Sequence, residues 1–258
     1  MVDRTRAARD RPRMPGLTRG SYDIESGPIT LRGPDGWDVE AFHARPESLP
    51  RGGVVVHPDI MGLRPLFTEL AETLATLGLA VNVVEPFSRI DAGARADLDA
   101  AARMGVIATL DDEEQIGDLA AAADRLVVDD DVGRVSVLGF CMGGMQTFKA
   151  AASGRFDAAV AFYGMLVPPV EWQSPQQAVP LELADSMCPT LAIFGGVDPW
   201  TPTDDIDALR AAWADRRDCE IVVYPDADHG FVHDAERPTH RADDANDAWS
   251  RALAWLLP

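Results

Sequence analysis

The stretch Gly139-Phe140-Cys141-Met142-Gly143 sets a cysteine between two glycines, at the point where an apolar run gives way to a helical pattern. A sharp strand-to-helix turn of this kind lifts its central side chain clear of the sheet. Glycine is needed two positions either side, because a Cβ there would meet the neighbouring strand or helix. The helix dipole at such a turn favours the thiolate, the nucleophilic form of cysteine. The plainer account of the same residues is a buried cysteine beside glycines that let a helix pack closely.

An acid and a base at equivalent places separate the two accounts. Asp198 follows the apolar run in LAIFGGVDPW, and His229 follows the next one in VVYPDADHGF. Taken singly, Asp198 reads as a helix cap or turn residue beside Pro199, and His229 as a loop histidine beside a glycine. Together with Cys141 they follow the order nucleophile, acid, base that an α/β-hydrolase requires. In that arrangement His229 takes the thiol proton and later protonates the leaving alkoxide, while Asp198 fixes the imidazole tautomer. Acyl transfer also needs donors for a developing oxyanion. The amide of Met142, next after the nucleophile, is one candidate, and that of Ile60, in the loop after the run GVVVH, is the other. Asp59 beside it either accepts a hydrogen bond from the thiol or is a turn residue after Pro58. His57 reads as a strand-end residue with a structural hydrogen bond.

These positions depend on the elements that carry them. From residue 53 short apolar strands (GVVVH, LAVNVVEP, RVSVLGF, DAAVAFYG, PTLAIFGG, CEIVVYPDA) alternate with amphipathic helices, over RPLFTELAETLATLG and from about residue 111 to 128, 141 to 153, 203 to 217 and 241 to 257. The alternation predicts a mainly parallel sheet covered by helices on both faces, with ligands beyond the carboxyl ends of the strands. The run GPITLRGPDGWDVEAFHARP predicts an antiparallel hairpin at a sheet edge. The fold class is thus α/β, with an N-terminal hairpin and no separate cap domain.

The chain has 258 residues and a formal charge of −19, which repels nucleic acid and anionic membrane alike. Residues 1–20 carry six arginines and two aspartates and are expected to form a basic arm, with 21–258 as a single domain. No apolar run approaches a secretory signal or a membrane span, so a cytoplasmic chain is expected. Three widely spaced cysteines offer neither a disulfide framework nor a metal site, and no cofactor motif is present.

The segments HPDIMGL, GFCMGG, GGVDPW and DADHGF resemble the four signature segments of the dienelactone hydrolases, cysteine-dependent members of the α/β-hydrolase fold. The resemblance runs from about residue 20 to the end. It implies a triad of Cys141, Asp198 and His229, an oxyanion hole from the amides of Ile60 and Met142, and hydrolysis of lactones or activated esters through a thioester, without metal or cofactor. Two positions depart from it. The family typically has a glutamate at the place of Asp59, where it contacts the resting thiol and takes part in ionising it, and aspartate is one methylene shorter. The family also binds the substrate carboxylate with two arginines. Arg89 fits the first, but the second place holds His233, and a neutral imidazole offers no bidentate fork. Arg237 is the substitute within reach, with a solvated surface arginine as its plain reading. The irregular stretch Met165–Ser186, with Phe87, Trp200 and Phe231, is expected to wall the acyl or alcohol pocket. A small ester or lactone is the expected partner, and a monomer is compatible with the sequence. The competing readings are a general carboxylesterase or thioesterase on the same machinery, and a binding protein without catalysis.

Overall fold

The computed structural model describes residues 14–257. Strands β1 (Ile24–Arg32), β2 (Asp38–Pro46), β3 (Gly52–His57), β4 (Leu79–Val84), β5 (Val135–Phe140), β6 (Ala158–Phe162), β7 (Thr190–Gly195) and β8 (Cys219–Tyr224) form one sheet of order β1-β2-β4-β3-β5-β6-β7-β8. The first two make the antiparallel hairpin, with Ile24 opposite Pro46 and Arg32 opposite Asp38. From β4 to β8 every neighbouring pair is parallel. Strands β3 to β7 are buried along their whole length, which is why they read as continuous apolar runs rather than as alternating ones.

Helices α1 (Pro65–Thr76), α2 (Ala92–Ala96), α3 (Ala100–Val106), α4 (Asp112–Asp129), α5 (Met142–Ala151), α6 (Thr203–Ala212) and α7 (Ala242–Leu256) complete the chain. Phe67, Leu70 and Leu74 of α1 and Trp249 of α7 pack on one face of the sheet. Leu119 and Leu126 of α4, Phe148 of α5 and Leu209 of α6 pack on the other. Helices α2 and α3 occupy a stretch for which the hydrophobic period predicts no element. Each starts on an aspartate whose side chain accepts backbone N–H groups: Asp91 from Gly93 (3.0 Å) and Ala94 (3.1 Å), Asp99 from Ala102 (2.8 Å). Such a cap contributes about 1 kcal/mol, enough to start a short helix that tertiary packing then holds. The helix expected to reach residue 217 ends at Ala212.

Of the expected basic arm, residues 1–13 lie outside the described residues. Residues 14–20 lie against the fold. Met14 is buried in the core, Gly20 N–H donates to Thr76 Oγ1 (2.8 Å), and Arg19 pairs with Glu69 (3.3 Å). Among the described residues no helix is long and apolar enough to cross a membrane.

Candidate active site

Cys141 stands at the top of β5 with φ +58° and ψ −119° as the N-cap of α5, and its sulfur makes no capping hydrogen bond to the helix. Its N–H donates to Phe162 O (3.0 Å) and its carbonyl accepts from Met145 N–H (3.0 Å), which ties the turn to β6 and to the first turn of the helix. The flanking glycines follow from close approach. A Cβ on Gly139 would lie 2.1 Å from Gly143 O, and one on Gly143 would lie 2.2 Å from His57 O and 2.3 Å from Pro58 O. The second contact lets the loop after β3 rest directly on the start of α5.

His229 Nδ1 lies 2.8 Å from Asp198 Oδ2, and Cys141 is the second group that acts on the imidazole. With Nδ1 taken by the carboxylate, the nitrogen facing sulfur is Nε2. Asp198 is buried, and its other oxygen accepts Trp200 N–H (2.8 Å). Burial works against the imidazolium, but Asp198 and Cys141 outweigh it and push the His229 ring up to about 10. A raised histidine stabilises the fold fully below its unfolded value of about 6.5, and that contribution is lost as pH rises through the folded value. Thermal unfolding measured from about pH 6 to about pH 10.5 should therefore show an alkaline fall in Tm that is smaller in His229→Gln. An equal fall in both proteins would refute the assignment.

The amides of Ile60 and Met142 lie on the two segments that Gly143 brings together. As the first residue of α5, Met142 has no helical acceptor for its N–H. Glu85 braces the β3–α1 loop by accepting Leu63 N–H (2.7 Å), and its other oxygen accepts Phe87 N–H (3.0 Å).

Asp59 is buried in this loop, but its partners are Arg64, which grips it at 2.5 and 2.8 Å, and Met61 N–H at 2.9 Å. Burial alone would raise the Asp59 carboxyl. The Arg64 guanidinium and the Met61 N–H oppose this, and the carboxyl lies below the ordinary range. Of the two readings of Asp59, a hydrogen bond from the thiol or a turn residue after Pro58, the Met61 contact is that of the turn residue, and the short side chain also meets Arg64 five residues on. His233, expected among the substrate contacts, is 2 % exposed, with Nδ1 3.0 Å from Tyr163 Oη and Nε2 3.4 Å from Asp59 Oδ2. Burial pushes its ring down to about 3, so it is neutral.

Arg89 also departs from expectation. Asp118 holds it through both terminal nitrogens, and Asp35 (3.2 Å) and Glu114 (3.1 Å) complete a cage of three carboxylates. A guanidinium so engaged joins the hairpin to α4 and is not available to a substrate. Arg237 is exposed, and no carboxylate pairs with it among the described residues. Its guanidinium lies so near Gly230 that a Cβ there would come within 2.8 Å of it, and with Arg64, Pro65, Leu66, His233 and Asp234 it lines a pocket of about 220 Å³.

The apolar wall at Cys141 is made of Phe87, Ile107, Met142, Met145, Met165 and Trp172, with Ile60 and Met104 partly buried against them. Trp172 stacks on the half-exposed Trp200, rings 5.1 Å apart and 14° from parallel. Phe87, Trp200, Met165 and Trp172 are thus on this side of the sheet's rim, whereas Leu166, Leu181, Leu183 and Ala184 of the 165–186 stretch pack into the core with α5 and α6. Phe231 is not at this rim either. It is fully buried in the core against Tyr224 (5.2 Å) and Tyr163 (5.9 Å), because the chain turns inward after Gly230. Met104 and Ile107 reach the wall from α3 and the turn after it, the elements that apolar periodicity misses.

A parallel sheet with a cysteine just after β5, an aspartate after β7 and a histidine after β8 has the arrangement of the α/β-hydrolase class. The dienelactone hydrolase family model matches residues 39–258, and the chain belongs to that family. A relative from Salmonella typhimurium named "Putative carboxymethylenebutenolidase" is 34 % identical over 240 residues, covering 90 % of this chain and 87 % of its own. A Bradyrhizobium protein named "Probable 2-oxo-3-(5-oxofuran-2-ylidene)propanoate lactonase" is 29 % identical over 233 residues, with 87 % and 91 % covered. The crystal structure of a "Putative Dienelactone Hydrolase" from Klebsiella pneumoniae superposes with a TM-score of 0.82 at 29 % identity, covering 91 % of this chain and 98 % of that one. Hydrolysis of an ester or lactone is the reaction class that family membership defines.

Proposed function

We propose that the chain hydrolyses small lactones or activated carboxylic esters by covalent catalysis at Cys141. The observation that carries this reading is a cysteine at a positive-φ strand-to-helix turn after β5, with an imidazole after β8 that is held through Nδ1 by a buried carboxylate and whose protonation responds to Cys141. The thiolate attacks the carbonyl carbon, and the oxyanion develops between the amides of Ile60 and Met142. Preorganised donors of this kind each lower the barrier by about 3 kcal/mol. The carbon–oxygen bond then breaks, and the His229 imidazolium gives its proton to the departing alkoxide. Water, deprotonated by His229, attacks the thioester; the carbon–sulfur bond breaks, and acid and thiolate are released. Acid-quenched turnover of p-nitrophenyl acetate should leave an acetyl group on the peptide that contains Cys141, read by mass spectrometry. An acetyl found elsewhere, or turnover that survives iodoacetamide, would overturn the proposal.

The Bradyrhizobium relative's name specifies a lactone that carries a carboxylate. Were such a substrate used here, Arg237 would meet the anion, since Arg89 is caged. A hydrogen bond to a charged group contributes about 1.5–3 kcal/mol. Arg237→Ala should therefore raise KM for an anionic lactone by roughly 10- to 100-fold and leave that for p-nitrophenyl acetate unchanged, whereas Arg89→Ala should alter neither. Loss of the anionic preference in Arg89→Ala would restore the sequence-based assignment.

A further inference from the structure

Beside the Cys141–His229 pair runs a second row of buried polar side chains to which the reaction scheme gives no part. Tyr163, the first residue after β6, sits at φ +39°, where residues bearing a Cβ are uncommon. Its N–H donates to Ile193 O (2.7 Å), its side chain is fully buried, and its ring meets the His229 imidazole at 5.1 Å and 63°. Its hydroxyl lies 3.0 Å from His233 Nδ1. His233 Nε2 in turn lies 3.4 Å from Asp59 Oδ2, and Arg64 grips Asp59 through two nitrogens.

We propose that this row makes Tyr163 a positioning residue for the catalytic imidazole: Arg64 and Asp59 fix His233, His233 fixes the tyrosine hydroxyl, and the tyrosine ring sets the attitude of His229. The inference rests on the reading of His229 as catalytic base. The protons can be placed. Beside the Asp59 carboxylate, Nε2 is the nitrogen of His233 that keeps its hydrogen, through proximity rather than a well-aligned hydrogen bond. Nδ1 is then an acceptor, and the tyrosine O–H donates to it. Phe67 and Phe140, with ring centres 6.1 and 5.4 Å from His233, close off water. Burial keeps His233 neutral and holds the Tyr163 hydroxyl well above its usual range, so no link changes charge at working pH. This use of Asp59 also gives a reason for its length: it serves a histidine and an arginine, not the sulfur. The ionisable groups around His229 are Asp198, Cys141, Tyr163, His233 and Asp228, whose carboxylate accepts the backbone N–H of His229 at 2.6 Å; Asp59 and Arg237 act on it through Tyr163 and His233.

The test uses Tyr163→Phe, His233→Leu, His233→Gln and the Tyr163→Phe/His233→Leu double variant. The readouts are kcat and KM on p-nitrophenyl acetate, and the pH dependence of Cys141 alkylation by iodoacetamide. Because a 1 Å misplacement costs up to about 100-fold, Tyr163→Phe should lower kcat roughly tenfold or more, with KM within about twofold and an altered alkylation profile. His233→Leu should match it. His233→Gln, able to accept from the tyrosine and donate to Asp59, should recover most of the loss. The double variant should be no worse than Tyr163→Phe, since the histidine acts through the tyrosine. Unchanged kcat and alkylation in Tyr163→Phe, or additive losses in the double variant, would overturn the inference. Tyr163→Phe keeps the ring, so should His233→Leu fail to fold, Tyr163→Phe against His233→Gln decides alone. Wild-type inactivation by iodoacetamide shows separately whether the cysteine reading stands.

Discussion

Cys141→Ala is expected to lower kcat on p-nitrophenyl acetate by on the order of 10⁴ or more while the protein stays folded. The loss is large because both half-reactions of the proposed mechanism pass through the sulfur. What remains comes from binding and from the Ile60 and Met142 amides, neither of which the substitution touches. The fold should tolerate it, since Cys141 already carries a Cβ at φ +58° and provides no side-chain cap to α5. Cys141→Ser should fall between the two. A serine hydroxyl ionises far less readily than a thiol, so its proton must be taken by the His229 imidazole during the attack itself. Measurement of kcat beside a thermal melt checks both halves, and Cys141→Ala retaining wild-type turnover would leave the site without its nucleophile.

The second large effect is expected far from the sulfur. Lys149, the chain's one lysine, lies on the buried face of α5 with no exposed side-chain surface, and its Nζ is 2.7 Å from Asp112 Oδ1. The other oxygen of Asp112 accepts Ala178 N–H at 2.7 Å, and Asp112 N–H donates to Gln176 O at 3.1 Å. One charge pair thus joins the nucleophile helix, α4 and the loop that carries Trp172. Desolvation lowers the Lys149 ammonium, and the Asp112 charge opposes that. Lys149→Met would strand a buried carboxylate and should cost about 3–5 kcal/mol. For a chain of this size that is a fall in Tm of about 2–4 °C per kcal/mol. Lys149→Met/Asp112→Leu should recover part of it, because no unpaired charge is left. A change below about 1 kcal/mol in the single variant would mean that water reaches the pair.

Cys141, Asp198 and His229, the proposed triad, could be found from local pattern because parallel strands force their carboxyl ends to one rim, so any residue just past an apolar run is delivered there. The nearby helices α2 and α3 could not be found from hydrophobic period, being too short to show one; the aspartates that cap them were the only local mark. Met165 and Trp172 lie in an irregular stretch whose pattern does not show that they meet Cys141: β6, bonded to Cys141 through Phe162, places the first, and the loop that carries the second is held by the Asp112–Ala178 bond across 66 residues.

Residue identity and order therefore determined the strand ends, the glycine-flanked turn, and the candidates for nucleophile, acid and base. Tertiary structure alone decided which charges are free. Arg89 is caged by carboxylates from the hairpin and α4, His233 is sealed under aromatic rings, and Asp59 is turned to Arg64. The reason is range: periodicity and turn chemistry act within a few residues, whereas the state of an ionisable group is set by whatever neighbours and burial the completed fold brings to it.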